Sequence, residues 1–126
     1  MSKLPERIRT AWDEREGPVV LTTVSQEGVP NAIYASSVTL FGDQYLVVAD
    51  NYFDKTRRNI LHGSESCSIL FMTKAGKAYQ AKGKLEYHRD GPIFDDMKKW
   101  NSEKHPGVAA LALELREVYS GAERVL

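Results

Sequence analysis

Short turns between apolar runs constrain the fold of this chain more than any other feature. The run VVLTTV (19–24) is rich in β-branched residues, and SQEGVP separates it from NAIYASSVTL (31–40). That turn contains Gly28, a residue type that accepts the positive φ of tight turns. FGDQ then leads into YLVVAD (45–50). Because parallel strands need connections of about a dozen residues or more, these turns predict antiparallel pairing.

The other runs complete a mainly β pattern with helices at its margins. Further strands are predicted over 66–73, 78–89 and 108–119, and helices over 4–15, over about 54–62 and from Asp90 to a stop at His105-Pro106-Gly107. Gly83, inside the long strand 78–89, predicts a β-bulge or a tight bend. The composition of 108–119 also suits a helix, but its alternation of Ala with Leu favours a strand.

These elements predict one domain, residues 1–126, in the mainly β class. Six strands of this length close or nearly close a small barrel, which hides the edges of the sheet. The expected architecture is therefore a six-stranded antiparallel β-barrel with flanking helices.

Composition excludes several classes of protein. Lys plus Arg and Asp plus Glu both total 17, so the formal net charge is zero, which argues against nucleic-acid binding by bulk charge. No apolar run is long enough to cross a membrane, and the N-terminus lacks the apolar segment of a signal peptide. The single cysteine, Cys67, has apolar neighbours and is predicted to be a small buried side chain, with a catalytic thiol as the weaker alternative. We expect a reducing, cytoplasmic setting.

Conventional catalytic motifs are missing from the sequence. His62, His88 and His105 are scattered without metal-ligand spacing, so no metal site is expected. The sequence has no GxSxG elbow, P-loop or GxGxxG motif.

The polar segment NYFDKTRRNI (51–60) is one candidate binding site. It follows the apolar strand 45–50 and opens a short helix, where Lys55 offers a charge and Thr56 a hydroxyl to an anion. Asp54 is the natural N-cap of that helix, and its carboxylate would repel a phosphate. A solvated helix face is the competing interpretation.

The segment YASSVT (34–39) is a second candidate. Its small residues would let a planar ligand approach the backbone, and Ser36 and Ser37 offer hydrogen bonds to the edge of a ring. An edge strand whose hydroxyls face water explains the same residues equally well.

Together, EGVPNAIYASSV, YLVVADNYFDKTRRNI, AYQAKGKLEYHRDGPIF and ALALELREVYSGAERVL resemble the FMN-binding split-barrel family, typified by pyridoxamine 5′-phosphate oxidase. The resemblance runs from about residue 16 to the end of the chain and is closest to the short FMN-binding members. It implies a six-stranded antiparallel split barrel of Greek-key type and a homodimer with FMN at the subunit interface.

The resemblance also assigns roles to residues. It places the flavin ring on Tyr34, Ala35 and Ser36 and on the backbone of Val48, Ala49 and Asp50. It places the phosphate on Lys55 and Thr56, with Asn59 one turn further, Asn51 between ring and phosphate, and Arg57 or Arg58 assisting. From the partner chain it implies contacts by Tyr79, Gln80, Lys82 and Trp100.

The function that the resemblance implies is a flavin-dependent oxidoreductase or electron-transfer protein. The basic, histidine-containing C-terminal segment of the full-length oxidase has no counterpart in this sequence, so pyridoxamine phosphate oxidation is not expected. The alternatives are a flavin store or sensor without turnover, a relative that binds F420 or haem, and an interaction domain whose basic helix is only solvated.

Overall fold

The computed structural model describes residues 4–126. Residues 1–3, which belong to the N-terminal segment discussed above, lie outside the described residues. In the described residues the chain forms three helices and eight strands: α1 (Glu6–Asp13), β1 (Val19–Val24), β2 (Pro30–Ala35), β3 (Val38–Phe41), β4 (Tyr45–Asp50), α2 (Lys55–Leu61), β5 (Ser66–Met72), β6 (Ala78–His88), α3 (Gly91–Trp100), β7 (Ala109–Ser120) and β8 (Glu123–Arg124). None of these helices has the length and apolar composition needed to span a membrane.

All eight strands belong to one antiparallel sheet, with the order β2-β1-β5-β6-β7-β4-β3 and β8 added to β7. The strands at the two ends of this order, β2 and β3, are joined only by Ser36 and Ser37. A connection that short places Ala35 and Val38 within about 11 Å of each other. The sheet therefore curls until its two ends meet, and the predicted antiparallel split barrel is confirmed.

The number of strands differs from the six expected. The run 31–40 was predicted as one strand, but its first half pairs with β1 and its second half with β4, at opposite ends of the sheet. The break falls at Ser36 and Ser37, where the chain leaves one partner strand for the other. The two-residue β8 adds a further short strand that the sequence did not predict.

The barrel core confirms the helical spacing of the first segment. Ile8, Ala11 and Trp12 of α1 are buried, and the Trp12 ring meets the Phe71 ring edge-on with 5.1 Å between centroids. Successive side chains of β4 point in opposite directions: Val48 faces the barrel core, while its neighbours Val47 and Ala49 pack against α3. Strand β4 is therefore buried on both faces.

Two other sequence expectations are confirmed in the sheet. The segment 108–119 is a strand, and the pairing of β6 with β7 shifts register between Lys82 and Gly83. A Cβ atom at Gly83 would lie 1.8 Å from the carbonyl oxygen of Glu114, so the two backbones approach too closely for any side chain there. Cys67 is buried as predicted, and burial raises the pKa of its thiol to about 12, which is unlike a reactive cysteine.

Candidate functional site

A cavity of about 360 Å³ opens where the two ends of the sheet meet. Its walls come from the end of β2, the link to β3, the end of β4, the loop after β4 and the loop before β7. Ten residues line it: Ile33, Tyr34, Ala35, Ser36, Ser37, Ala49, Asn51, Tyr52, Phe53 and His105. The volume lies within the range of small-molecule sites, about 300–1,000 Å³.

The cavity brings together both candidate segments of the sequence. Tyr34, Ala35 and Ser36 line it from β2 and the link, and Ala49 and Asn51 line it from the end of β4. The resemblance placed the ring on the backbone of Val48, Ala49 and Asp50, and of these three only Ala49 lines the cavity. Val48 is 1% exposed, and its side chain lies in the barrel core.

Asp50 is fully buried and is engaged within the protein. Arg57 donates to both of its oxygens, from Nε to Oδ2 at 2.8 Å and from Nη2 to Oδ1 at 2.7 Å. Tyr87 donates its hydroxyl to Oδ2 at 2.5 Å, and the Phe53 amide donates to Oδ1 at 3.1 Å. The Asp50 side chain thus shapes the loop that carries Asn51 and Tyr52 to the cavity.

These contacts change the acid–base properties of the two partners of Asp50. The hydrogen bond to the carboxylate holds the pKa of Arg57 above its ordinary value, although burial opposes this effect. Burial and, after it, the hydrogen bond to Asp50 raise the pKa of Tyr87. At neutral pH the arginine therefore stays charged and the phenol stays protonated.

Helix α2 closes one end of the barrel through buried polar contacts. Asn31 Nδ2 donates to the Thr56 hydroxyl at 3.1 Å, and Asn59 Nδ2 donates to the Thr23 hydroxyl at 3.0 Å. Thr56 is 1% exposed and Asn59 is 8% exposed. Of the residues assigned to the phosphate, Thr56 and Asn59 therefore face β1 and β2 and not the solvent.

The other face of α2 carries the accessible charges. Lys55 is exposed, and its side chain makes no hydrogen bond or ion pair with any residue in 4–126, while Arg58 Nη2 lies 3.8 Å from Asp54 Oδ1. Asp54 holds the predicted N-cap position of α2, but its carboxylate makes no capping hydrogen bond. Its backbone, at φ −125° and ψ −86°, lies outside the β-region typical of an N-cap residue.

Asn51 joins the cavity to the loop between α3 and β7. Its Oδ1 accepts from Asn101 Nδ2 at 2.8 Å and from the Gly107 amide at 3.0 Å. Its Nδ2 donates to Asn101 Oδ1 at 3.2 Å and to the Ser37 hydroxyl at 3.4 Å. The amide assigned to the cofactor is therefore already a structural link between two loops.

Reasoning from sequence gave no ligand contact to four of the lining residues, Ile33, Tyr52, Phe53 and His105. The Tyr52 hydroxyl and His105 Nδ1 are 3.2 Å apart, and the two rings meet edge-on with 5.6 Å between centroids. The sequence placed His105 at the end of a helix, whereas α3 already ends at Trp100. No local pattern pairs residues 53 positions apart, so only the tertiary structure finds this contact.

The residues that the resemblance assigned to a partner chain lie in different environments. Tyr79 is 4% exposed and stacks on Phe71 in the core of its own chain, while Lys82 is exposed. Gln80 is half-buried, and Trp100 donates its Nε1–H to Asp96 at 3.2 Å. Of these four side chains, Lys82 is the most accessible to a second molecule.

Comparison with known proteins identifies the family. The model of the family described as pyridoxamine 5′-phosphate oxidase matches residues 4–121. The chain belongs to the pyridoxamine 5′-phosphate oxidase family. A curated relative, the uncharacterized protein MJ0282 of Methanocaldococcus jannaschii, is 27% identical over 109 residues, which cover 81% of this chain and 71% of that protein.

Solved structures share the fold at low sequence identity. HupZ of Group A Streptococcus has a TM-score of 0.79 at 19% identity, over 93% of each chain. An FMN-binding protein from Syntrophomonas wolfei has a TM-score of 0.76 at 19% identity, over 96% of this chain and 85% of the other. An F420 reductase has a TM-score of 0.70 at 16% identity, over 92% and 98% of the two chains. The same fold therefore occurs in an FMN-binding protein and in an F420 reductase.

Proposed function

We propose that this chain binds FMN in the cavity between the two ends of the sheet and acts as a flavin-dependent redox protein. The observation that carries the proposal is the convergence of two separate segments on one cavity. Residues 34–36 and residues 49–51 come from strands β2 and β4 and from their ends, and both contribute to its lining. The FMN-binding protein of the same fold supports the choice of cofactor.

The chemistry of the lining fits a flat heteroaromatic ring. Ala35, Ser36 and Ala49 are small, so a ring can lie close to the backbone, and the serine hydroxyls can donate to or accept from its polar edge. Tyr34 and Tyr52 add aromatic surface. Apolar walls with a few polar groups are characteristic of cofactor sites.

The phosphate is assigned to Lys55. Its ammonium is exposed and unpaired within residues 4–126, whereas Arg57 is held by the Asp50 carboxylate. Arg58 is the second candidate, because its ion pair with Asp54 is long and exposed and is therefore weak. The buried Thr56 supports the helix from within the barrel.

When bound, the flavin supplies hydride and electron transfer, and the residues of the chain bind it, orient it and exclude water. None of the ten lining residues is Lys or Arg, so the described cavity offers a second phosphate neither an ammonium nor a guanidinium group. This absence favours a redox substrate other than pyridoxamine phosphate. The buried Cys67 thiol is compatible with the reducing cytoplasm, where we place the protein.

We also propose that two copies of the chain cover the cavity together. Tyr34 lines the cavity and is nevertheless 78% exposed, so the wall that it forms is itself open to solvent. On the same outer face Tyr34 pairs across the sheet with Val20, and Val20 pairs with the exposed Leu70. This apolar row continues from the cavity and suits burial against a second copy.

Sedimentation velocity of the wild type and of Leu70→Asp tests whether two copies assemble through this surface. A monomeric wild type would contradict the proposed dimer.

The cofactor assignment is tested by the visible spectrum of the purified protein. We expect flavin absorption bands, with FMN released on denaturation, or uptake of added FMN by a colourless preparation. A protein that remains colourless and takes up no FMN would exclude the proposal. Reduction of the bound flavin by NADH or NADPH, followed over many turnovers, then separates a redox enzyme from a flavin store.

Haem is the second candidate cofactor because one imidazole faces the same cavity. The Tyr52 hydroxyl contacts Nδ1 of His105, so Nε2 is the ring nitrogen that would coordinate a haem iron. A haem-binding protein from Mycobacterium smegmatis has a TM-score of 0.61 at 20% identity, over 90% of this chain and 51% of the other. Addition of haemin distinguishes the two cofactors, since a Soret band lost in His105→Ala would support haem.

A further inference from the structure

His105 is the one group in the cavity lining whose residue type changes charge near neutral pH. The other nine lining residues are apolar, hydroxyl-bearing or amide side chains. Its Nδ1 meets the Tyr52 hydroxyl, and no hydrogen bond or ion pair within residues 4–126 engages its Nε2. One ring nitrogen is thus used to hold the imidazole, and the other is left for a bound molecule.

The loop that carries His105 is held against the cavity at several points. Asn51, which lines the cavity, accepts hydrogen bonds from Asn101 and from the Gly107 amide. Lys98 Nζ donates to the carbonyl oxygens of Pro106 at 3.1 Å and Gly107 at 3.2 Å. These contacts on both sides of His105 fix its position relative to β4.

Gly107 makes this arrangement possible. Its φ is +51°, and a Cβ atom there would lie 3.0 Å from both Asn101 Nδ2 and Lys98 Nζ. A larger residue would therefore push away the side chains that hold the loop.

We propose that His105 contacts the flavin ring bound in this cavity and, as an imidazolium, stabilises the negative charge that the ring gains on reduction, with Asn51 and Asn101 as the positioning residues. This inference rests on the proposed FMN site. Two-electron reduction by a hydride donor adds two electrons and one proton to the ring, which leaves it with one additional negative charge. A fixed cation next to that charge favours the reduced state.

Other titratable groups surround His105 and are part of the electrostatics. Tyr34 and Tyr52 present hydroxyls in the same cavity, and Lys98 and Glu103 line a smaller neighbouring cavity together with His105. The Lys98 ammonium is already bonded to two carbonyl oxygens of the loop. Among these groups, His105 is the one that lines the main cavity with a residue type whose charge ordinarily changes between about pH 5 and 8.

The test is the reduction potential of the bound FMN at pH 6.0 and pH 8.5, measured on the full chain. At pH 6.0 we expect His105→Gln to lower the ratio of the affinity for reduced FMN to the affinity for oxidised FMN about tenfold, compared with the wild type. This change lowers the two-electron potential of the bound FMN by about 30 mV. At pH 8.5 the wild type and the variant should agree. His105→Lys keeps a cation at both pH values and should keep the potential high at pH 8.5.

Two further variants separate position from general disturbance. His62→Gln, on the exposed end of α2, is the matched control and should leave the potential unchanged at both pH values. Asn101→Ala should lower the potential at pH 6.0 towards that of His105→Gln and leave it unchanged at pH 8.5. NMR of the wild type should show the His105 ring signals shifting when oxidised FMN binds.

The outcomes distinguish this inference from the function on which it rests. If the wild type takes up no FMN, both are overturned. If FMN binds and the potentials of the wild type and His105→Gln agree at pH 6.0, only the role of His105 is overturned. A difference of the same size at both pH values would also overturn it, because a loss of charge must disappear when the imidazole is neutral.

Discussion

Arg57 and Asp50 form a two-bond ion pair in which the carboxylate is fully buried and the arginine side chain is 34% exposed. This asymmetry decides what each residue contributes. Loss of the arginine leaves a buried carboxylate without a counter-charge, whereas loss of the carboxylate leaves an arginine that still reaches water. The pair also joins α2 to the end of β4, next to the candidate site.

Arg57→Met is therefore expected to destabilise the protein more than Asp50→Asn. We expect Arg57→Met to lower the free energy of unfolding by about 3 kcal/mol. This value lies at the lower end of the range for a broken buried ion pair, because Tyr87 and the Phe53 amide still donate hydrogen bonds to Asp50. Asp50→Asn should cost about 1–2 kcal/mol. Urea unfolding measures both losses of stability. The control is Arg58→Met, which removes the exposed ion pair with Asp54 and should lower the free energy of unfolding by about 0.5 kcal/mol or less. Equal costs for Arg57 and Arg58 would contradict the role of the buried pair.

Lys55→Ala should weaken the binding of FMN far more than that of riboflavin, which lacks the phosphate. Loss of one charge-assisted contact is expected to cost on the order of 1.5–3 kcal/mol for FMN alone. Fluorescence titration with both ligands gives the two dissociation constants. Lys99→Ala, an exposed lysine on α3, serves as the control for general charge. Equal losses for FMN and riboflavin would show that Lys55 does not touch the phosphate.

Gly83→Ala should be one of the most destabilising single-methyl changes in the chain. The added Cβ would lie 1.8 Å from the Glu114 carbonyl oxygen, so strand β6 or β7 must move, at a cost of about 3 kcal/mol or more. Gly28→Ala provides the comparison, because Gly28 has a φ of +82° but a Cβ atom added there would have no neighbouring atom within 4 Å. We expect about 1–2 kcal/mol there, from backbone strain alone. Thermal or urea unfolding that ranks the two variants in the opposite order would refute the close approach of the strands.

The buried Cys67 thiol should make stability fall at alkaline pH. Burial raises the pKa of this thiol from about 9 to about 12, so at alkaline pH the thiol ionises more readily in the unfolded chain than in the folded protein. Its contribution to the free energy of unfolding is therefore complete below pH 9 and is lost as pH rises towards 12. Between pH 9 and pH 10.5 this corresponds to about 2 kcal/mol of unfolding free energy. Cys67→Ala lacks this group, so the stability difference between the wild type and the variant should narrow by about that amount over this interval. Parallel pH profiles would mean that the thiol is not held in its protonated form.

Local sequence signals were sufficient for most elements of the fold. The turn around Gly28, the apolar spacing of α1 and the bulge at Gly83 depend on near neighbours along the chain, and each was found where the sequence predicted it. The antiparallel class followed from the short connections. The sequence also identified residues 34–36 and 49–51 as candidates for one site, although their meeting at one cavity depended on the fold.

Tertiary structure decided the remaining features, because they depend on contacts between distant segments. The run 31–40 is uniformly strand-like, and only the curl of the sheet assigns its two halves to opposite edges. Nothing local distinguishes Arg57 from Arg58, yet the barrel buries a carboxylate beside the first and leaves the second in solvent. Likewise, His105 meets Tyr52 only because Asn51 holds the α3–β7 loop at the end of β4. The sequence by itself determined most of the strands, the turns and the chemical character of the candidate residues, whereas burial and register determined which of these residues face a ligand and which hold the protein together.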